Sequence, residues 1–204
     1  MDHLIVAGPD LEEATEYVES VLGLHASAGG RHPGVGTRNA LVGLGPGAYI
    51  EIIGPDPEQA EPELPRWFGI DTLTGPRLAT WSARTGDLAR AVADGRAVGL
   101  ELGTIARGGR VRPDGTRLEW RVTDPRAERF HGVLPFLMDW GESEHPSSRL
   151  GAECALVRLR GFHPDVLGPR VAAEALGLPV ELAAGPEPLL EADIRTPAGL
   201  VTLR

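Results

Sequence analysis

The sequence predicts an α+β fold made of repeated βαβββ units, which form curved mixed sheets with a concave pocket. Residues 1–54 and 76–141 each show the order strand, helix, strand, strand, strand, because short apolar runs accompany one segment of helical periodicity. Asp-Leu opens the helix of each unit, and Gly-Thr-Arg opens its third strand. A repeat of this length indicates that neighbouring units share one architecture.

The helix of the first unit has the clearest boundaries. Asp10 is a favourable N-cap and Glu13 follows three positions later, as in a capping box, while Gly23 is suited to end the helix. We expect strands at 2–7, 24–28, 37–44 and 48–53, with a glycine-rich loop at 29–36.

The rest of the chain divides into a linker and two further units. Residues 54–75 are rich in proline and end near Trp67-Phe68, a pair that we expect to dock on the body of the protein rather than to contact a ligand. In the second unit we expect strands at 77–83, 100–106, 116–122 and 134–140 and a helix after Asp87. We predict one domain at 1–148 and a third βαβββ-like unit at 149–204, with its helix at 164–176.

Composition excludes several classes of protein. The net charge is −9, which argues against a nucleic-acid or anionic membrane partner. No apolar stretch of ~18 residues predicts a membrane span, and no basic segment followed by an apolar one predicts a signal peptide. The single cysteine, Cys154, cannot form an intrachain disulfide, so we expect a cytoplasmic protein. No nucleophile elbow, P-loop or dinucleotide motif occurs.

Two polar residues interrupt apolar strands of the first unit. His3 alternates with Leu4, and Glu51 lies between two isoleucines, so strand alternation places both on the face opposite the helix. A buried carboxylate needs a metal, a cation or water. The alternative is a salt bridge from Glu51 to Arg38 or Arg117, and His3 could simply be solvated or bonded to a loop carbonyl.

The glycine-rich loop brings further candidates. Arg31 and Asn39 have no counterpart in the second unit, and an arginine can bind a carboxylate or phosphate through two hydrogen bonds. We therefore predict that they anchor a small anionic or carbonyl-bearing ligand. Arg38 and Arg117 occur at matching places and are better explained as structural residues. The side chains predicted to supply an apolar wall, or simply to belong to the core, are Trp120, Met138 and Trp140.

One string of residues carries a family resemblance. The run Gly29-Gly30-Arg31-His32-Pro33-Gly34-Val35-Gly36-Thr37-Arg38-Asn39-Ala40 has Asp2-His3 upstream and Phe136-Leu137-Met138-Asp139-Trp140-Gly141 downstream. It resembles the glyoxalase-like domain group of the vicinal oxygen chelate superfamily, which includes glyoxalase I, extradiol dioxygenases, methylmalonyl-CoA epimerase and bleomycin-resistance proteins. The resemblance covers residues 1 to about 148 well and the remainder loosely. It implies a U-shaped sheet holding a divalent metal, with ligands from strands one and four of each unit.

The resemblance implies half of such a metal site. His3 and Glu51 match two ligand positions, whereas Thr80 and Met138 occupy the other two. His32 is the candidate third ligand. A second candidate is His145, and the carboxylate of Asp139 would point to the opposite face. Imidazole and carboxylate ligands suit zinc, iron, nickel or manganese.

Two functions stay open at this point. The first is an enzyme of the lyase, isomerase or dioxygenase type acting on a small oxygenated metabolite, with Glu51 as base or ligand and His3 and His32 as ligands or acid/base groups. A partly apolar cleft is expected to raise the pKa of the base toward neutrality. The second is a metal-free protein that sequesters small molecules, as bleomycin-resistance proteins do. In either case we expect a homodimer formed through the third unit.

Overall fold

The structure is a computed structural model that describes residues 1–111 and 116–204, with the side chains of residues 110 and 111 left out. The described part contains twelve strands, three α-helices and two short 3₁₀ helices, Trp67–Thr72 and Pro146–Arg149. The α-helices are α1 (Leu11–Leu22), α2 (Leu88–Ala97) and α3 (Leu167–Ala175). The strands are β1 (His3–Ala7), β2 (Ser27–His32), β3 (Thr37–Gly43), β4 (Tyr49–Pro55), β5 (Arg77–Arg84), β6 (Ile105–Val111), β7 (Arg117–Thr123), β8 (Phe136–Asp139), β9 (Ala155–His163), β10 (Glu181–Ala184), β11 (Leu189–Thr196) and β12 (Gly199–Leu203).

The first two units form one eight-stranded sheet. Its order is β2-β3-β4-β1-β5-β8-β7-β6, so each unit supplies one half. The halves join where β1 runs antiparallel to β5, with His3 opposite Ser82. Within each half the first strand pairs in parallel with the fourth, β1 with β4 and β5 with β8. The predicted α+β fold with repeated units is therefore confirmed for this part of the chain.

The two faces of this sheet have separate cores, as strand alternation predicts. Leu4 and Ile52 are fully buried on the face that α1 covers. Ile5 and Ile53 are fully buried on the concave face. His3 shares the parity of Ile5, and Glu51 shares that of Ile53, so both belong to the concave face.

Helix boundaries follow the predicted capping residues. The carboxylate of Asp10 accepts a hydrogen bond of 2.9 Å from the backbone N–H of Glu13. Gly23, with φ of 69°, ends α1 in the left-handed conformation that glycine adopts without strain. Asp87 caps α2 in the same way, accepting from the backbone N–H of Arg90 at 3.0 Å.

Two strands depart from the predicted positions. β2 takes in the first part of the expected glycine-rich loop, because a bulge between Ala28 and Arg31 lets the chain resume pairing with β3. β6 starts at Ile105, later than predicted. The apolar residues that suggested an earlier strand, Leu100 and Leu102, are buried in the core on the helix side of the sheet. Their burial explains the pattern without a strand.

The third unit has the predicted order of elements but a different pairing. Its sheet has the order β10-β9-β11-β12, and its first strand pairs in parallel with its second strand. In the other two units the first strand pairs with the fourth. The third unit is therefore not a topological copy, because a sequence pattern gives the order of elements and not their partners.

The third unit packs against both of the other units. The backbone N–H of Leu78 donates to the carbonyl of Arg204 at 2.8 Å, and the Tyr17 hydroxyl donates to the same carbonyl at 3.0 Å. Leu203 and Ile194 belong to the same buried cluster as the apolar face of α1. The division of the chain at 148/149 stays a prediction.

The arginines of the repeated Gly-Thr-Arg motif lie at the surface. Arg38 donates to the carboxylate of Glu12 on α1 at 2.6 Å, and Arg117 to that of Glu119 at 2.7 Å. Gly115, the first residue of the second motif, lies outside the described residues. No described helix combines the length and apolarity needed to cross a membrane.

Candidate functional site

A small cavity opens on the concave face where the two units meet. Its volume is about 50 Å³, room for about four water molecules. Six of the predicted site residues line it: His3, His32, Asn39, Glu51, Trp120 and Trp140. Both units therefore contribute to the wall. The other lining residues are Leu41, Tyr49, Trp67, Phe68, Val122, Pro125, Phe136 and Met138.

Glu51 bridges the two histidines. Nε2 of His3 lies 3.4 Å from Oε2 of Glu51, and Nε2 of His32 lies 3.5 Å from Oε1. Asn39 donates from its side-chain nitrogen to the same Oε1. His3 and Glu51 are 2% and 8% exposed. The site is thus a buried polar cluster and not a solvated surface group.

The pKa of Glu51 is lowered and the pKa of His3 is raised from their ordinary values. Burial alone would raise the pKa of Glu51, but the hydrogen bond from His3 and the charges of His32 and His3 outweigh it and lower the pKa to about 2. Burial alone would lower the pKa of His3, but its bonds to Asp2 and Glu51 raise it to about 9. The expectation of a carboxylate raised toward neutrality is therefore wrong, because its hydrogen-bond partners dominate over burial.

Asp2 binds the ring nitrogen of His3 that faces away from Glu51, a role that the sequence did not predict. Its fully buried carboxylate contacts His3 Nδ1 at 2.7 Å, Trp140 Nε1 at 2.9 Å, Arg84 Nε at 3.0 Å and His145 Nε2 at 3.4 Å. Burial alone would raise the pKa of Asp2, but the hydrogen bonds and charges of His145 and His3 hold it well below its ordinary value. A carboxylate at the start of an apolar strand was the available clue.

The two glycines of the bulge serve to orient Asn39. A Cβ at Gly29 would collide with the side chain of Asn39, so glycine leaves room for the amide. The backbone N–H of Gly30 donates to the Asn39 amide oxygen at 2.7 Å. The amide nitrogen is thereby turned toward Glu51. The glycine pair positions a side chain of the protein itself.

Arg31 is placed outside the cavity. Its side chain is about half exposed, and its guanidinium pairs with the carboxylates of Asp56 and Glu58. Both acids belong to the segment after β4, which the linear sequence could not place beside β2. The structure does not bring Arg31 to the other predicted site residues.

Two residues of the proline-rich segment form part of the cavity wall. Trp67 lies 5.4 Å from the ring of His32, and Phe68 lies 5.7 Å from the ring of Phe136, centre to centre. We expected this pair to dock on the body, and it does so at the cavity itself. Nothing in the local sequence pattern indicates where a segment without regular periodicity will settle.

The family model described as "Glyoxalase-like domain" matches residues 1–177. The chain belongs to this family. The glyoxalase-like domain places it in the vicinal oxygen chelate superfamily, as the glycine-rich motif and the paired βαβββ units suggested. No curated protein matches the sequence.

The solved structures that resemble this glyoxalase-like chain share little sequence with it. A hypothetical protein from Staphylococcus aureus has a TM-score of 0.66 at 12% identity, covering 92% of this chain and 87% of that one. Methylmalonyl-CoA epimerase from Streptomyces coelicolor, in complex with 2-nitronate-propionyl-CoA, has a TM-score of 0.44 at 21% identity, covering 72% and 97%. The epimerase from Mycobacterium tuberculosis has a TM-score of 0.37 at 21% identity, covering 68% and 84%.

In the second unit, the residue that corresponds to His3 is Ser82 and not Thr80, the residue that the sequence predicted. His3 pairs with Tyr49 across β1 and β4, and Ser82 pairs with Phe136 across β5 and β8. With Phe136 matched to Tyr49, Ser82 occupies the place of His3. Thr80 instead donates to the carbonyl of Gly132 at 2.9 Å. The predicted match was displaced because it relied on helix starts rather than on strand pairing.

The donor types of the first unit suit a divalent ion of the kind that superfamily members use, but their arrangement does not form a complete site. His3 and His32 each have a partner at Nδ1, Asp2 and the Thr37 hydroxyl respectively, as metal-bound histidines commonly do. Each Nε2, however, approaches a different oxygen of Glu51. Within residues 1–111 and 116–204, no three His, Cys, Asp or Glu residues stand where they could hold one ion.

Proposed function

We propose that this glyoxalase-like protein is an enzyme of the lyase or isomerase type, which moves a proton at a carbon next to a carbonyl group of a small metabolite. The observation that carries the proposal is the contact between His3 and Glu51 in the cavity wall. At neutral pH, a histidine with a pKa of about 9 is protonated and a glutamate with a pKa of about 2 is ionised. An acid and a base then face one small space.

The proposed step uses both groups. A substrate carbonyl oxygen entering the cavity accepts the Nε2 hydrogen of His3, and Glu51 takes the proton from the carbon next to that carbonyl. The electron pair of the broken C–H bond moves onto the oxygen, where the His3 hydrogen bond stabilises it. Once His3 has turned to the substrate, Glu51 loses the hydrogen bond that lowers its pKa, while burial still raises it. Binding thereby makes Glu51 a stronger base when the proton is transferred. The reaction ends when the electron pair returns from the oxygen and a proton is added to carbon on the other face or at another position.

Asn39 and Asp2 keep the two groups in position. Asn39 donates to Glu51 Oε1, so the second oxygen, Oε2, is the one near His3. Asp2 holds Nδ1 of His3, so that Nε2 points to the cavity. His3, His32 and Glu51 could hold a divalent ion only if Glu51 left its present position between the histidines, and such an ion would polarise the substrate oxygen.

Proton exchange tests the proposal on simple carbonyl compounds and does not require the natural substrate. We expect the protein to catalyse hydrogen–deuterium exchange at carbons next to the carbonyl in a panel of small ketones and 2-oxo acids, followed by NMR in deuterium oxide. Glu51→Gln should reduce the exchange rate by at least about 100-fold, the scale of acid–base catalysis. Deuterium exchange at the wild-type rate in Glu51→Gln would contradict the proposal.

The alternative function is binding without chemistry, as in a protein that sequesters small molecules. The observation that favours it is the aromatic lining, with Trp120 and Trp140 only 5.4 Å apart between ring centres. This alternative predicts saturable ligand binding in wild type with no exchange above the buffer rate. The same panel therefore separates the two functions.

We further propose a cytoplasmic homodimer. The fully buried thiol of Cys154, unpaired in the structure, supports a reducing compartment. The edge strands β10 and β12 of the third unit supply a surface through which a second copy could pair. Light scattering at several concentrations, with a proline substitution at Val201 in β12, tests the dimer.

A further inference from the structure

We propose that residues 56–73, here called the cover segment, form a clamped cover over the cavity and that Phe68 on this segment determines the size of the ligand. The proposal rests on the proposed function only in taking the cavity as the ligand site. It makes no use of the chemistry at Glu51.

Three arginines attach the cover segment, of which Arg31 on β2 pairs with Asp56 and Glu58 at its start. Arg66 donates to the carbonyl of Gly36 at 3.0 Å and also pairs with Glu61 and Asp71 within the segment. Arg126, from the chain between β7 and β8, donates to the carbonyl of Pro65 at 2.8 Å. The segment is thus tied to one loop of each unit and spans the opening between them.

The backbone conformation that turns Phe68 inward is strained. Phe68 has φ of 61° and Gly69 has φ of 70°, two consecutive left-handed residues within the 3₁₀ segment. Only the glycine adopts this conformation freely, so packing must hold Phe68 there. Its ring lies against Phe136 on the sheet. A strained residue that supplies a wall of the cavity indicates a functional constraint.

The rings form a continuous belt round the cavity. Centre-to-centre distances are 5.7 Å from His3 to Phe136, 5.7 Å from Phe136 to Phe68, 6.1 Å from Phe68 to Trp67 and 5.4 Å from Trp67 to His32. The bridging carboxylate closes the belt between the histidines. Phe68 is the member on the cover that faces the sheet, so removing its ring enlarges the cavity without touching the acid–base pair.

The ligand class that follows is a compact compound of about four or five non-hydrogen atoms within the belt. The cavity wall offers no arginine to bind an anion, because Arg31 is held by Asp56 and Glu58 outside it. The lining instead contributes one carboxylate, that of Glu51. A short ketone or aldehyde fits this description, whereas a ring-bearing ketone requires the space of Phe68.

Acetone and acetophenone form the probe pair, because acetophenone replaces one methyl group of acetone by a ring of the size that Phe68→Ala removes. Affinities are measured by protein-observed NMR titration of the full chain, whose spectrum also reports folding. We expect acetone to bind wild type and Phe68→Ala alike, and acetophenone to bind Phe68→Ala at least about tenfold more tightly than wild type.

Three variants keep the result interpretable. Phe68→Gly removes the ring and also relieves the left-handed strain, so it should match Phe68→Ala, and Phe68→Leu should give an intermediate gain. Leu64→Ala changes an exposed apolar residue of the same segment that does not line the cavity and should behave as wild type. Equal acetophenone affinity in wild type and all Phe68 variants would overturn the inference. Failure of the proposed chemistry would instead appear as lack of deuterium exchange in wild type.

Discussion

His3 and Glu51 come from neighbouring parallel strands, and Nε2 of His3 lies 3.4 Å from Oε2 of Glu51 in an almost fully buried setting. The pair has consequences for stability that depend on pH. Glu51 has a pKa of about 2 in the folded chain against 4.5 when exposed, and His3 has about 9 against 6.5.

The first prediction is a stability maximum that depends on this pair. The lowered pKa of Glu51 stabilises the fold above pH 4.5, and this contribution is lost as pH falls toward 2. The raised pKa of His3 stabilises the fold below pH 6.5, and this contribution is lost as pH rises toward 9. We expect the wild-type free energy of unfolding to exceed that of Glu51→Gln by an amount on the order of 2–3 kcal/mol between pH 4.5 and 6.5, with the difference shrinking on both sides. Urea denaturation at three pH values measures it, and a pH-independent difference would contradict it.

The second prediction concerns the support of His3 by Asp2. Asp2→Asn keeps the shape but removes the charge that faces His3 and Arg84, so the pKa of His3 should fall. We expect a stability loss of about 2–4 kcal/mol, because a buried cation loses its partner. NMR titration of the His3 imidazole measures the pKa. Asp10→Asn, at an exposed cap where asparagine substitutes well, serves as the control.

The third prediction concerns the glycine bulge. Gly29→Ala should displace the Asn39 side chain and destabilise the chain by about 2 kcal/mol or more, because the bond between Asn39 and Glu51 is lost. Gly75→Ala is the matched control, since a Cβ there meets nothing within 4 Å. Thermal unfolding of both variants should show a clear drop only for Gly29→Ala. A drop of equal size in both would show that the Asn39 contact is not responsible.

The fourth prediction separates Arg31 from the site. The Arg31 side chain is about half exposed, so solvent screens its ion pairs and Arg31→Ala should lower the stability only slightly. Acetone affinity and any deuterium exchange should be unchanged, because the side chain does not line the cavity. Asn39→Ala is the comparison, and it should impair both. A selective loss of ligand affinity in Arg31→Ala would restore the arginine as an anchor.

The fifth prediction concerns metal. If His3, His32 and Glu51 hold a divalent ion, then zinc, iron, nickel or manganese at 100-fold excess over its Kd should raise the free energy of unfolding by about 2.7 kcal/mol. The gain should vanish in His32→Ala and persist in His25→Ala, whose imidazole is exposed after the end of α1. Elemental analysis after purification without chelator gives the stoichiometry. No ion and no shift in wild type would leave the acid–base pair to act alone.

Strand alternation and capping could be predicted because they are local. The parity of His3 and Glu51, the N-caps Asp10 and Asp87 and the stop at Gly23 each depend on residues within a few positions. The start of β6 could not be predicted from apolar residues, since Leu100 and Leu102 fill the core and do not form a strand. The third sheet shows the same limit for topology, because its pairing is independent of element order.

The sequence by itself determined that His3 and Glu51 would share the face opposite the helix, because successive side chains along a strand alternate between its two faces. Only the tertiary structure decided what surrounds them. Asp2 meets Trp140 and Arg84 across distances of 138 and 82 residues in the chain. Phe68 reaches the cavity on a segment without periodicity. Such contacts depend on the packing of the whole chain, and no local pattern encodes them.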